Sequence, residues 1–244
     1  MVKLRSILAG LSFFLAPYLA TGAEKLSPIA PGEYLTHGGW GILNVSKKQS
    51  VARSFVISSN GANGHSCSVH GAIVEGNLGV PEAVQAETGC EIVFRADNGS
   101  IDVTTNGAPS CRYFCGARAG FTGHYFRPAS GCGTGQRLRT HAEFERLYKA
   151  RRYSDAVSKL GRMVERCAAV LDWREKYQAV NDLAITQHHL GHDDACIQAL
   201  QPLAAEVAVS DETLRETYPP ADYERMQKIV NWTRTNLALC GRGQ

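Results

Sequence analysis

Apolar and polar positions follow two different periods along the chain. Short alternating runs punctuated by glycine fill residues 32–133, and a helical period begins near residue 139. Alternation puts successive side chains on opposite faces of a strand, whereas a period near 3.6 puts apolar residues on one helix face. The pattern predicts an α+β protein in two domains. A small antiparallel β-barrel or sandwich of about five to seven strands is followed by an all-α helical domain.

The clearest strand signal is a hairpin at Asn98-Gly99. The alternating runs EIVFRA and SIDVTT flank this dipeptide, and Asn-Gly favours a type I′ turn because both central residues take positive φ. In this hairpin Ile92 and Phe94 share one face of their strand. Further strands are predicted at residues 40–46, 52–58 and 66–74, and loops at 59–64 and 76–87.

The second half contains five predicted helices. They cover residues 141–150, 154–169, 175–190, 193–209 and 221–240. Ser154 and Asp193 are suitable N-caps, and Gly191 suits the position that follows the third helix. Pro202 is expected to kink or split the fourth helix, because proline lacks the amide hydrogen that the helix needs.

Two turns between helices in this half carry similar residues. Tyr153 and Ala156 in the first turn correspond to Asp193 and Cys196 in the second, an offset of 40 residues. The half resembles tetratricopeptide-type helix pairs with a capping helix, although that repeat is about 34 residues long. An ordinary antiparallel helical bundle is the alternative. The resemblance implies a surface that binds other proteins.

The first 23 residues have the features of a signal peptide. Lys3 and Arg5 precede a mostly apolar stretch at residues 7–20, and small residues end the segment at Thr21 and Ala23. An uncleaved anchor is the alternative, but the stretch is shorter than the roughly 20 residues that span a bilayer. The predicted domains are then residues 24–133 and 134–244, with no transmembrane segment.

Composition leaves the partner open. The net charge of +3 is too small to indicate a nucleic-acid partner. The 44% of hydrophobic and 20% of charged residues are usual for a globular protein.

Eight cysteines in an exported chain predict disulfides rather than reactive thiols. Five lie in the β half and three in the helical half, so complete pairing requires an odd number of bridges between the halves. Alternating helix directions place Cys196 and Cys240 at one end of the helical half and Cys167 at the other, beside the β half. The predicted pairs are Cys196–Cys240, Cys132–Cys167 and Cys67–Cys90, with Cys111 or Cys115 as alternative partners of Cys167.

Residues 111–127 form the densest cluster of candidate binding residues. An exposed cluster of arginine and aromatic side chains would suit a glycan, a carboxylate or a protein partner. The alternative is that the aromatic side chains pack the last strands. The segment is also similar to small cysteine-rich β domains of exported Gram-negative proteins. The candidate binding residues are Arg112, Tyr113, Arg118, Phe121, His124, Tyr125 and Arg127.

Candidate chemistry elsewhere in the sequence is sparse. His188 and His192 are four residues apart, as metal ligands on one helix face would be, but Gly191 and Asp193 indicate a turn there. The sequence contains no nucleophile elbow, zinc-protease motif or phosphate-binding loop. No catalytic residue, metal site or cofactor is therefore predicted.

Taken together, these features predict a non-enzymatic protein that is periplasmic or secreted and binds a protein partner in the cell envelope or acts as a scaffold. A sharper hypothesis is an inhibitor or immunity protein against a peptidoglycan-cleaving enzyme. The alternative is an envelope hydrolase or glycan-binding protein that uses the segment from Arg112 to Arg127.

Overall fold

A closed β-barrel followed by helices makes up the described part of the chain, which in the computed structural model is residues 28–47, 53–82 and 89–241. The α+β layout is confirmed, with a barrel in the first part. The predicted signal peptide lies outside the described residues. The strands are β1 (Gly32–Leu35), β2 (Gly41–Lys47), β3 (Arg53–Asn60), β4 (Ser66–Val74), β5 (Leu78–Pro81), β6 (Ile92–Asp97), β7 (Ser100–Thr105) and β8 (Gly123–Phe126). The helices are α1 (Thr134–Lys149), α2 (Tyr153–Cys167), α3 (Trp173–His189), α4 (Asp193–Ala199), α5 (Ala204–Ala208), α6 (Asp211–Thr217) and α7 (Pro220–Cys240).

Each barrel strand pairs with its neighbour in chain order, and β8 closes the barrel by pairing with β1 through Phe126 and Leu35. The predicted strand number of about five to seven is too low, because the described barrel has eight strands. β1, β5 and β8 have four residues each. Such a strand offers two positions per face, too few for an alternating pattern to be recognised. The loop predicted at residues 76–87 contains β5, and its residues 83–87 lie outside the described chain.

The predicted hairpin between β6 and β7 is confirmed. Asn98 and Gly99 take φ values of 43° and 85° in its turn. Phe94 and Val103 are directly opposite in the pairing and are both 0% exposed. The face that Phe94 shares with Ile92 therefore lies in the barrel interior.

The predicted helices are present, with changes at their ends. α1 begins at Thr134 rather than at residue 141, because the Thr134 amide donates to the Glu33 carboxylate of β1 at 3.0 Å. Pro202 lies between α4 and α5, so the predicted split is confirmed. The short helix α6 was not predicted, and Ser210 caps it by accepting a hydrogen bond from the Thr213 amide.

Both predicted N-caps are wrong. Arg152 and His192 occupy the cap positions of α2 and α4 in place of Ser154 and Asp193. Gly191 follows α3 with a φ of 75°, the left-handed conformation that suits glycine at this position.

Four disulfides join all eight cysteines. The bridges are Cys67–Cys115, Cys90–Cys111, Cys132–Cys167 and Cys196–Cys240. The last two are the pairs that the helix directions predict, whereas the predicted Cys67–Cys90 pair is wrong. Cys67 lies instead beside Cys115 in an isolated β-bridge, a long-range pairing that sequence spacing does not reveal.

The bridges indicate an oxidising compartment, since disulfides of this kind are rare in the reducing cytosol. Separately, among the helices of the described residues, none has both the length and the apolarity needed to cross a membrane.

The barrel and the helices share a hydrophobic core where they meet. Leu35 of β1 is 1% exposed and belongs to the same buried cluster as Phe144 and Leu147 of α1. The Cys132–Cys167 bridge belongs to this cluster and links the segment after the barrel to the end of α2. Burial and the covalent link therefore hold the two halves together as one body.

Polar contacts fix the junction on both sides of this core. The Arg137 side chain is 6% exposed, donates to the Cys132 carbonyl at 2.7 Å and pairs with Glu175 at 3.2 Å. On the other side, the backbone N–H of Asn63 donates to the Asp222 carboxylate at 2.6 Å. The Asn63 side-chain oxygen also accepts a backbone hydrogen bond from the first turn of α7 at 2.9 Å. The start of α7 is therefore bound directly to the turn between β3 and β4.

Candidate functional site

The predicted binding segment does not form one surface. Phe121 and Tyr125 are 3% and 0% exposed and lie in the barrel core. The Tyr125 hydroxyl donates to the Phe121 carbonyl at 2.8 Å, and burial raises the pKa of Tyr125. These two residues were predicted to bind a partner, but their burial excludes them from that role. For them, the alternative that the aromatic side chains pack the last strands is correct.

Exposed positions are occupied by the other five predicted residues, Arg112, Tyr113, Arg118, His124 and Arg127. His124 Nδ1 lies 2.7 Å from a carboxylate oxygen of Asp102 on the neighbouring strand β7. Arg127 is the residue directly after β8. Its guanidinium lies 4.8 Å from the centre of the Tyr34 ring. His124 and Arg127 thus have separate partners within the protein, and the role of all five residues in binding stays a prediction.

The histidine-rich turn between α3 and α4 holds His188 and His192 to different partners. His188 Nδ1 lies 2.7 Å from an Asp193 oxygen, whereas His192 Nδ1 lies 3.0 Å from a glutamine oxygen. His188, Asp193 and Cys240 bring potential metal-ligand atoms within 4.8 Å of one another. The Cys240 sulfur is bonded to Cys196, so it offers no thiolate to a metal.

A groove between α3 and α7 combines polar and aromatic side chains in one concave surface. It has a volume of about 290 Å³. The α3 residues recur at helical spacing, which places them on one face of the helix. The lining residues are Gln178, Asn181, Asp182, Ile185, Trp232, Thr235 and Asn236. Concave sites with a few placed polar groups are where ligands commonly bind.

A buried network of amides forms one wall of the groove. Asn181 and Asn236 are 4% and 8% exposed. The Asn181 side-chain nitrogen donates to the Tyr177 carbonyl at 3.0 Å, and its oxygen accepts from the Thr233 hydroxyl of α7 at 3.1 Å. The Asn236 nitrogen donates to that oxygen at 3.0 Å and to the Asn181 backbone carbonyl at 3.2 Å. Because both partners are acceptors, the network fixes the orientation of the Asn236 amide.

The other polar atom of this amide, Asn236 Oδ1, is an acceptor that takes no part in the network. Within the described chain no residue bonds to Asn236 Oδ1, although Asn236 lines the groove. The described buried side-chain atoms that lack a partner are Ser110 Oγ and Thr134 Oγ1. Asn236 Oδ1 is not among these atoms, and Asn236 lines the groove, so this oxygen is the candidate acceptor of the site.

Trp232 is the exposed aromatic residue of this groove. Half of the residue is accessible to solvent, at 50% exposure. Among the described residues its indole N–H forms no hydrogen bond, and Trp232 lies one helical turn before Asn236 on α7. The half-buried side chain of Ile185 adds apolar surface.

An ion pair forms the edge of the groove next to α1. His141 Nε2 lies 3.2 Å from Asp182 Oδ2, and its Nδ1 lies 3.4 Å from Glu145. The hydrogen bond to Asp182 is the main cause that raises the pKa of His141 above its usual value, while burial partly opposes the rise.

The His141 contact is expected to make stability depend on pH. A raised pKa means that the folded state holds the proton more tightly, so the stabilisation is complete below the unfolded pKa of about 6.5 and is lost as pH rises through the folded pKa. In urea unfolding the free energy of unfolding is therefore expected to fall as the pH rises above about 6.5 and through the raised folded pKa of His141. The fall should be smaller in His141→Gln and in Asp182→Asn. An equal fall in all three proteins would contradict this assignment.

The groove residues were not among the predicted site residues. Asn181 and Asn236 are polar residues on helix faces that are otherwise buried, and such positions require partners. A search for polar residues on apolar helix faces would have found them, but their mutual contact depends on how α3 and α7 pack.

Comparison with protein-family models, with curated proteins and with solved structures gave no match for this chain. The fold and the groove thus define the molecule only as a disulfide-linked barrel and helix assembly with a concave candidate binding site.

Proposed function

We propose that the protein is a non-enzymatic recognition protein whose α3–α7 groove binds an extended peptide segment of a protein partner. The leader-like first 23 residues and the four disulfides support export to a Gram-negative periplasm or secretion. The partner is then a protein of the cell envelope.

The paired donor and acceptor of the groove carry this proposal. A peptide unit offers one N–H and one carbonyl, and both need partners when they leave water. Asn236 Oδ1 can accept the N–H, and the Trp232 indole can donate to the carbonyl. The buried network around Asn181 holds the acceptor in place before the ligand arrives, which lowers the entropic cost of binding.

Apolar contact adds to these hydrogen bonds. Trp232 presents a large exposed ring, and Ile185 lies in the same groove, so an apolar peptide side chain can pack between α3 and α7. Tryptophan is among the residues that contribute most to binding at protein interfaces. Asp182 and His141 at the edge favour a peptide that carries a polar or basic residue there.

Selection from a phage-displayed library of random peptides tests the proposal. The wild-type protein is expected to enrich a set of related peptides, and calorimetry with a synthetic copy is expected to show one site. Trp232→Ala should weaken this affinity by about tenfold or more, because an interface aromatic residue is lost. Trp232→Phe retains the aromatic ring but lacks the N–H donor, so it should bind with intermediate affinity.

Leu138→Ala is the matched control for the peptide experiment. Leu138 lies on α1, is 64% exposed and is not among the residues that line the groove. Its replacement also removes an exposed apolar side chain and is expected to leave peptide affinity unchanged. The proposal would be wrong if no peptide were enriched, or if the selected peptides bound Trp232→Ala as tightly as the wild type.

Inhibition of a peptidoglycan-cleaving enzyme is the sharper form of this proposal. Adding the purified protein to a panel of such enzymes acting on peptidoglycan tests it. Inhibition of one enzyme by the wild type, and its loss in Trp232→Ala, would support an inhibitory role. Unchanged activity of every enzyme would restrict the proposal to binding without inhibition.

A further inference from the structure

A second concave site lies where the barrel meets the helices. This cleft has a volume of about 350 Å³. Trp40 comes from the barrel side, and Trp173 and Tyr218 come from the helical half. All three aromatic residues are half-buried, so each keeps part of its surface open. Concave, largely apolar sites between domains are the usual position of small-molecule ligands.

Close packing fixes the walls of this cleft. The Trp40 ring lies against Gly123, where a Cβ atom would be 3.1 Å from two ring carbons. Gly61 lies so close to the Arg118 carbonyl that any Cβ atom would collide with it. Trp173 is the first residue of α3, whose first turn is capped by Asp172 and pairs with Arg137 of α1 through Glu175. Close packing within the protein therefore fixes the Trp40 ring and the Gly61 backbone at the wall of the cleft.

The charged groups in the cleft are paired within the protein. Arg174 donates to Asp172 through Nη2 at 2.7 Å and Nε at 3.2 Å. The Asp222 carboxylate accepts a hydrogen bond from the backbone N–H of Asn63 at 2.6 Å and lies 3.7 Å from the Arg225 guanidinium. The cleft thus carries little net charge, and its lining arginine is already occupied by a carboxylate. This arrangement disfavours phosphates and other anions.

We propose that the junction cleft binds a neutral saccharide. A sugar ring combines an apolar face of C–H groups with a rim of hydroxyls, each of which donates and accepts hydrogen bonds. Trp40 and Trp173 supply flat apolar surfaces for the ring face. The Asn60 amide and the Asp172–Arg174 pair supply donors and acceptors for the rim. A wholly apolar ligand would offer no hydrogen-bond partner to the Asn60 amide.

Calorimetry with chitotetraose, cellotetraose and maltotetraose tests this proposal. At least one of the three is expected to bind at one site per chain and to change the tryptophan fluorescence. Trp173→Ala should weaken that affinity by about tenfold or more, because a stacking surface is lost. Asn60→Ala should weaken it several-fold. The Asn60 side chain is exposed, so its removal leaves the barrel core intact.

Trp232→Ala is the matched control, since it removes the third tryptophan of the chain from outside the cleft. It is expected to leave saccharide affinity unchanged, and thermal melts establish that each variant is folded. Failure of all three saccharides to bind the wild type would overturn the proposal. Unchanged affinity in both Trp173→Ala and Asn60→Ala, or tighter binding of anionic tetragalacturonate than of every neutral sugar, would also overturn it.

Discussion

Replacement of both Cys132 and Cys167 by alanine is expected to lower the free energy of unfolding by about 4 kcal/mol, from the loop entropy of a bridge that spans 35 residues. The two cysteines are 1% and 2% exposed, so alanine avoids an unpaired buried polar group at either position. Urea denaturation under non-reducing conditions measures the change. An unchanged midpoint and slope would show that the bridge is absent from the folded protein.

Removal of Cys90–Cys111 is the control for the position of this bridge. It spans 21 residues, so its loss is expected to lower the free energy of unfolding by about 3 kcal/mol, nearly as much as the loss of Cys132–Cys167. This bridge lies within the barrel half and does not cross the junction. Hydrogen exchange at the start of α3 should therefore increase after loss of Cys132–Cys167 but not after loss of Cys90–Cys111.

Gly39→Ala is expected to destabilise the junction by about 2–5 kcal/mol, combining left-handed strain with overpacking. Gly39 has a φ of 63°. A Cβ atom there would collide with the Val170 carbonyl and lie 2.9 Å from the Asp172 amide nitrogen. These are backbone atoms near Cys167, whose disulfide limits how far the segment can retreat.

The neighbouring residue provides a control for the strain alone. Gly38 also has a left-handed φ, 71°, but a Cβ atom there would have no neighbour within 4 Å. Gly38→Ala is therefore expected to cost about 1–2 kcal/mol, the strain without the collision. Urea denaturation of both variants measures the difference. Equal losses in Gly38→Ala and Gly39→Ala would contradict the close contact between the barrel and the segment that precedes α3.

Elements that depend on local interactions could be predicted from the residues. The β6–β7 hairpin follows from Asn98-Gly99, whose positive φ values require no tertiary contact. Gly191 ends α3 and Pro202 divides the fourth predicted helix for equally local reasons. The start of α1 could not be predicted in this way, because Glu33 of β1 holds its first amide.

The candidate sites depend on contacts between distant segments, and this is why the sequence did not reveal them. Asn181 and Asn236 are 55 residues apart, and each has an ordinary polar side chain when read alone. The cleft similarly joins Trp40 of the barrel to Trp173 of α3. Dense local clusters were a poor guide, because Phe121 and Tyr125 of the predicted segment belong to the core.

The central claim is that the chain is exported and that disulfides link its two halves. Mass spectrometry of the protein purified from the periplasm of a Gram-negative host tests this claim most directly. Intact mass and a non-reducing peptide map are measured on the same sample. The expected result is a mature chain that begins at residue 24, has no free thiol among its eight cysteines and links the Cys132 peptide to the Cys167 peptide. A retained leader with free thiols, or a Cys132 peptide joined to any other cysteine, would contradict the account.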